Sequence, residues 1–123
     1  MVVDSSALLA IIFDEPSAAW IEEQLEKNRE HLIMSTVNLA ESLIIIQSRQ
    51  PAMFQTLREV IFSTQIHFVP PTVRHAELAA RARLEYPINL GDCFAYALAK
   101  EESCPILTID PDFKKTDAVV VIP

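Results

Sequence analysis

Short apolar runs alternate with longer amphipathic stretches along the whole chain. The short runs predict five strands, at 1–3, 32–34, 66–69, 105–109 and 118–122. Between them, apolar residues recur at helical spacing and predict helices at 7–13, 15–28, 36–50, 51–63, 72–86 and 91–101, with one or two further turns after Asp110. Strands separated by helices indicate βαβ units, and therefore an α/β domain with helices on both faces of a central, mainly parallel five-stranded sheet.

Composition narrows this to one domain spanning residues 1–123. Half of the residues are apolar, which is enough for a proper core, and neither a linker nor a repeat interrupts the pattern. Cys93 and Cys104 are the only cysteines, as expected in a reducing compartment. Asp4 precedes the first long apolar stretch, which argues against a signal peptide, and no apolar run is long enough for a membrane span. We therefore expect a cytoplasmic protein without membrane association.

The charge balance restricts how such a protein can meet nucleic acid. Acidic residues outnumber basic ones 17 to 10, for a formal net charge of −7. This excludes binding through a general basic surface, because phosphate contacts depend on Lys and Arg. The negative charge does not exclude contact with nucleic acid through bound metal ions.

Three acidic residues fall where strands end or helices begin. Asp4 follows the first predicted strand, Asp110 follows the fourth, and Asp92 lies at the start of a helix after Gly91. Ligands of parallel sheets bind at the carboxyl ends of strands, beside helix N-termini, so these acids are expected on one rim. Each also has a simpler interpretation as a helix cap.

Glu41 is the most informative acid because it lies in the middle of a helix. Among its neighbours three and four residues away, Val37, Ile44 and Ile45 are apolar and only Asn38 is polar. An ionised carboxylate on such a face needs a partner. No Lys or Arg stands at helical contact spacing, so the partner is either a distant arginine, such as Arg49 or Arg83, or a cation from outside the chain.

Four segments in this order resemble the PIN-domain ribonucleases, specifically the short VapC-type toxins of toxin–antitoxin pairs. They are VVDSSALLAII, STVNLAES, LGDCFAYALAKE and ILTIDPDFKKTD. The resemblance implies a three-layer α/β/α PIN-like fold and an acidic pocket for Mg²⁺ or Mn²⁺. It also implies cleavage of RNA phosphodiester bonds by metal-activated water, a homodimer, and an antitoxin that covers the active site.

The resemblance assigns site residues position by position. Asp4, Glu41 and Asp92 match the three core acids, and Asp110 is the preferred fourth, with Asp112 as a further metal ligand or its substitute. Ser6, Asn38 and Thr108 match polar positions that support the acids. The segment 50–86 matches only in pattern, which leaves the RNA target open.

Metal chemistry agrees with these residue types. Mg²⁺ prefers carboxylate and water oxygens, and no Cys or His group has zinc spacing. Two carboxylates about 4 Å apart repel by ~4 kcal/mol at an effective dielectric of 20, and a divalent cation relieves this repulsion. Substrate phosphate needs positive charge, for which Lys114, Lys115 and Arg83 are candidates, although each is also compatible with a solvated surface.

Two helices carry more large apolar residues than a surface helix needs. Leu43–Ile46 is a run of four, and Met53, Phe54, Leu57, Val60, Ile61 and Phe62 occupy the next helix. They form either a buried helix pair or an exposed docking surface for a partner.

Three other functions remain as alternatives. A non-catalytic Mg²⁺-binding receiver module has a similar fold, but it needs an acid after its third strand, where this chain has Pro70 and Pro71. A phosphatase with an aspartyl nucleophile usually has DxD after its first strand, where this chain has Asp4-Ser5-Ser6. A degenerate nuclease kept as a binding protein is disfavoured because all four acidic positions are filled.

Overall fold

The computed structural model describes all 123 residues as five strands and six α-helices in alternation. The strands are β1 (Val2–Val3), β2 (Ile33–Ser35), β3 (His67–Val69), β4 (Ile106–Leu107) and β5 (Val120–Val121). The helices are α1 (Ser5–Ile12), α2 (Ala18–Lys27), α3 (Thr36–Arg49), α4 (Phe54–Ser63), α5 (Val73–Glu85) and α6 (Leu90–Glu102). Two short 3₁₀ turns, Pro51–Met53 and Pro111–Lys115, complete the chain.

All strand pairs are parallel, and the spatial order is β3-β2-β1-β4-β5. The chain therefore builds outward from β1 to β3, then returns to place β4 on the other side of β1. In such sheets the crevice beyond the carboxyl ends of the strands at this reversal is the usual ligand site. The residues that follow β1 and β4, which include Asp4 and Thr108, flank that crevice.

Helices cover both faces of the sheet, which confirms the predicted three-layer class. Val3 and Leu107 belong to a core with residues of α1 to α4, whereas Val2 and Ile106 belong to a second core with α5 and α6. Neighbouring strand residues point to opposite faces, so each strand serves both cores. None of the helices combines the length and the apolar character needed to cross a bilayer.

Most predicted boundaries differ from the structure by no more than two residues, and three helix starts differ for an identifiable local reason. Helix α2 begins at Ala18 rather than at residue 15, because residues 14–17 form a turn in which Asp14 has a positive φ of 49°. Pro51 opens a separate 3₁₀ turn before α4 instead of α4 itself. Helix α6 begins at Leu90 with Asn89 as its N-cap, so Gly91 and Asp92 lie inside its first turn and do not cap it.

Candidate active site

The first acid of the site, Asp4, leaves β1 into the crevice and is almost completely buried, with 1% exposure. It occupies the N-cap position of α1, but its side chain makes no capping hydrogen bond. Instead Oδ2 accepts hydrogen bonds from the Ser6 hydroxyl at 2.7 Å and the Thr108 hydroxyl at 2.9 Å. The capping prediction for Asp4 is therefore confirmed for its position, whereas its carboxylate makes other bonds.

The other carboxylate oxygen of Asp4, Oδ1, is buried and has no hydrogen-bond partner. Burial raises the pKa of Asp4, and the hydroxyls of Ser6 and Thr108 oppose this by stabilising the ionised form. The backbone N–H groups of Ser5 and Ser6 also lower the pKa, although neither forms a hydrogen bond of good geometry with Oδ1. A buried oxygen with an unused lone pair costs free energy unless a proton or a cation meets it. Asp4 is thus arranged with one oxygen fixed by the protein and one available to a ligand.

Glu41 reaches the same place from α3 and is half-buried. Its Oε1 accepts a hydrogen bond at 2.8 Å from the Asn38 side-chain amide, which also donates to the Gly91 carbonyl at 2.9 Å. Burial raises the pKa of Glu41, the negative charge of Asp4 raises it further, and the Asn38 amide and the Ser5 hydroxyl lower it.

Glu41 forms no ion pair with an arginine. The six salt bridges of the structure involve other carboxylates, and Arg49 lies over the Phe13 ring instead. The alternative in which Arg49 or Arg83 neutralises Glu41 is therefore wrong, and the carboxylate faces the other acids without a protein cation.

Asp92 lies in the first turn of α6, next to the position that Glu41 contacts, and it is 7% exposed. Its Oδ2 accepts a hydrogen bond from the Asn89 backbone N–H at 3.2 Å, and the Asn89 side chain accepts one from the Asp92 N–H at 2.9 Å. Burial, followed by the charge of Asp4, raises the pKa of Asp92 to about 7, with smaller contributions from Asp110 and Glu41. Asp92 is thus close enough to the other three carboxylates for their charges to raise its pKa.

Asp110 follows β4, and the sequence predicted its capping role correctly. Its Oδ1 accepts a hydrogen bond from the Asp112 N–H at 2.9 Å, and its own N–H donates to the Thr108 hydroxyl at 2.9 Å. Asp112 instead bonds Lys115 at 2.8 Å and is not among the charges that act on Asp92. The structure therefore groups Asp110 with the other three acids and turns Asp112 towards solvent.

The basic residues predicted to contact substrate are more dispersed than the acids. Lys115 is engaged by Asp112, and Lys114 is exposed on the same 3₁₀ turn. Arg83 is exposed on α5 beside an apolar groove that includes Leu90 and Phe94. Lys114 and Lys115 are thus the basic residues nearest to the acids along the chain.

Sequence reasoning missed three contributors. Ser5 and Asn89 are not among the predicted site residues, and Gly91 is predicted only as a helix start. The Asn89–Asp92 spacing is that of a capping box and was a usable signal. The contact of Gly91 with Glu41 had no sequence signal, because it depends on how α3 packs against α6.

The acids fit a hard divalent cation, although they do not form a preassembled cage. No three Asp, Glu, His or Cys side chains anywhere in the chain are arranged as a complete metal site. Mg²⁺ does not require one, since it keeps several waters and often takes only one or two carboxylates directly. The unpartnered Oδ1 of Asp4, amid acids with raised pKa values, is the observation that favours a cation here.

Comparisons with known proteins point to one family. Residues 1–119 match the family model of the PIN domain. Over the full length of both chains, the protein is 35% identical to Ribonuclease VapC30 of Mycobacterium tuberculosis. It is also 35% identical to Ribonuclease VapC of Mycolicibacterium smegmatis, over 98% of this chain and 99% of that one.

Solved structures show the same fold at lower sequence identity. VapC20 of Mycobacterium tuberculosis, a sarcin–ricin loop cleaving toxin, superposes with a TM-score of 0.83 at 16% identity, over 99% of this chain and 98% of that one. VapBC2 from Rickettsia felis, bound to a DNA fragment from its promoter, gives a TM-score of 0.81 at 15% identity, with 98% and 96% coverage.

Proposed function

The chain belongs to the PIN-domain family as a VapC ribonuclease toxin of a toxin–antitoxin system, and we propose that it cleaves RNA with a divalent cation held by its four clustered acids. Asp4, Glu41 and Asp92 are the main ligands in this proposal, and Asp110 completes the site. Mg²⁺ is the expected ion, with Mn²⁺ as a substitute. The observation that carries the proposal is the buried, unpartnered Oδ1 of Asp4.

Each of the three main ligands has its own supporting group. The Ser6 and Thr108 hydroxyls fix Asp4, the Asn38 amide fixes Glu41, and the Asn89 N–H fixes Asp92. These bonds use one oxygen of each carboxylate and leave the other for the ion. When bound, the ion supplies Lewis acidity that activates water and neutralises charge on the scissile phosphate.

Phosphate binding is the second requirement of the proposed reaction. The acids repel RNA when no cation is bound, and the net charge of −7 gives no general attraction. Lys114, Lys115 and Arg83 are the proposed phosphate contacts. Lys115 must exchange its Asp112 partner for phosphate, whereas Lys114 makes no ion pair and needs no exchange.

The proposed partners are an antitoxin and a second copy of the chain. VapBC complexes share this fold, which supports an antitoxin partner. Ile44 of α3 is 67% exposed, Met53 of the following 3₁₀ turn is 44% exposed, and Val60 and Phe62 of α4 are 44% and 45% exposed. This favours the docking alternative over a fully buried helix pair. A receiver module is disfavoured, because β3 ends at Val69 and is followed by Pro70.

The direct test is RNA cleavage by purified protein with Mg²⁺ or with EDTA, using structured and unstructured RNA and mapping the ends. We expect cleavage only with the cation. Asp4→Asn, Glu41→Gln and Asp92→Asn should each lower turnover by more than about 100-fold, because even residues that only orient metal ligands cost about 10- to 100-fold.

The matched control is Asp14→Asn, an exposed acid in the turn after α1, which should cleave like the wild type. Undiminished turnover in a folded Asp4→Asn variant, or full activity in EDTA, would contradict the proposal.

A further inference from the structure

Gly91 is the only glycine of the chain, and its backbone does not explain why a glycine stands there. It is buried within the first turn of α6, and its φ is not positive. Alanine adopts that backbone readily, and in a helix alanine is more favourable than glycine. The reason for the missing side chain must therefore lie in what surrounds it.

The surrounding group is the carboxylate of Glu41. A Cβ built on Gly91 would overlap both carboxylate oxygens of Glu41 and the carbon between them. The same carboxylate is tied to Asn38, whose amide also donates to the Gly91 carbonyl. Glu41 thus lies in the volume that a side chain at position 91 would fill.

We propose that Gly91 is a positioning residue that seats the Glu41 carboxylate against α6, beside Asp92. It acts through Glu41 and does not itself touch the reacting groups. The inference rests on the proposed function for its consequence, because Glu41 matters to catalysis only if the four acids form the active site. The steric relation between Gly91 and Glu41 stands independently of it.

The geometry predicts a displaced side chain and an intact fold in Gly91→Ala. The overlapping atoms are the far end of a flexible side chain, so Glu41 can swing away while both helices stay in place. In doing so it leaves the Asn38 amide and its place beside Asp92. We therefore expect folded protein whose Mn²⁺ affinity is lower by about 10- to 100-fold, the range found when a group that orients metal ligands is lost.

A double-mutant cycle in metal-free buffer separates the steric effect of a side chain at position 91 on Glu41 from the effect of helix propensity. Gly91→Ala is made in the native background and in Glu41→Ala, and the melting temperature is measured for all four proteins. With Glu41→Ala the obstruction is gone, so Gly91→Ala should raise the melting temperature. With native Glu41, Gly91→Ala should lower the melting temperature or raise it clearly less. Ser48→Ala, on an exposed position of α3 two turns from Glu41, is the control and should act equally in both backgrounds.

The possible results of these measurements either support or contradict the role of Gly91. Equal thermal effects of Gly91→Ala in both backgrounds together with unchanged Mn²⁺ affinity would overturn the proposal. If Gly91→Ala alone fails to fold, a folded Gly91→Ala/Glu41→Ala protein supports it and an unfolded one contradicts it. If the wild type binds no Mn²⁺ and cleaves no RNA, the proposed function fails, while the thermal cycle still decides whether Gly91 seats Glu41.

Discussion

At the scale of single residues, Asp4 shows how a buried acid is prepared for a ligand. Two hydroxyls, from Ser6 and Thr108, converge on its Oδ2 and leave Oδ1 without a partner. The Ser6 hydroxyl also lies 3.0 Å from that of Thr108 and accepts the Ile109 N–H at 3.2 Å. The segments after β1 and β4 are thus joined through the carboxylate that they support.

Removing one of these hydroxyls should weaken both the fold and the site. Thr108→Val keeps the shape of the side chain but leaves Asp4 Oδ2 and the Asp110 N–H each without one partner. We expect the free energy of unfolding, measured with urea, to fall by about 1–3 kcal/mol, as for other buried polar groups that lose a bond. Thr108→Ser retains the hydroxyl and is the control. Equal stability of the valine variant and the wild type would show that these bonds contribute little.

Asp92 makes a prediction about pH. Its pKa in the folded protein is about 7, above the ordinary value of 3.8, so the folded state holds the proton more tightly than the unfolded chain. The stabilisation from this group is therefore complete below about pH 4 and declines as the pH rises to about 7. We expect metal-free protein to lose stability over this window and added Mg²⁺ to restore it.

Asp92→Asn isolates the contribution of this carboxyl group, because asparagine still offers an oxygen to the Asn89 N–H. Its urea midpoint should vary less between pH 4 and 7 than that of the wild type. Parallel pH curves for the two proteins would mean that the carboxyl group at position 92 titrates alike in the folded and unfolded states.

Residue positions were predictable where topology alone decides them. Asp4 and Asp110 follow strands that are adjacent in a parallel sheet, so their proximity follows from βαβ order. The inward direction of Glu41 followed from its helical neighbours. The seating of Glu41 over Gly91 was not predictable, because it depends on the rotation of α3 and α6 about their own axes, which distant core contacts set.

At the scale of elements, α5 and α6 have the same length and both begin with a capping box, but the two boxes involve different kinds of residue. In α5 the Thr72 hydroxyl accepts the His75 N–H, and the His75 ring accepts the Thr72 N–H. In α6 Asn89 and Asp92 form the corresponding pair. Only the second box includes an acid of the active site.

The two capping boxes allow the effect of losing an N-cap to be compared with and without an acid of the candidate site. Asn89→Ala and Thr72→Ala should each lower the free energy of unfolding by about 0.5–2 kcal/mol, the usual cost of losing an N-cap. Only Asn89→Ala should also reduce Mn²⁺ affinity and RNA cleavage, because it frees the Asp92 side chain to rotate. Equal activity of the two variants would indicate that the capping box serves α6 alone.

Most elements were predictable, and each misplaced boundary has its own local cause. The strands were found where apolar runs occur, since both faces of the sheet are covered. The start of α6 was misplaced because Gly91-Asp92 resembles a helix beginning, whereas Asn89 makes the reciprocal bonds. Position 15 was included in α2 because Pro16 suits a first turn, yet Asp14 in a left-handed conformation delays the helix to Ala18.

At the scale of the whole molecule, one exposed apolar surface lies on α3, the 3₁₀ turn that follows it and α4. It comprises Ile44, Met53, Val60 and Phe62, and other large apolar residues are exposed on α5, at the start of α6 and before β5. The Phe62 ring packs edge-on against Phe68 and lies under Arg58, so it is held in place while partly exposed. Such a surface is suited to a second copy of the chain.

The dimer is tested by placing charge on this surface. Ile44→Glu and Phe62→Glu should convert a dimer into a monomer in analytical ultracentrifugation at micromolar concentration. Leu84→Glu, on an 89% exposed position of α5, should leave the oligomeric state unchanged. A wild-type protein that sediments as a monomer would contradict the proposed homodimer.

The support of Asp4 by Thr108 also bears on when the protein can first act during its own synthesis. A polypeptide still lacking β4 has neither the far wall of the crevice nor the second hydroxyl on that carboxylate. The proposed reactive centre therefore cannot assemble until the C-terminal part of the polypeptide has emerged from the ribosome. Under the proposed function, RNA cleavage by a newly made chain begins only when its translation is nearly finished.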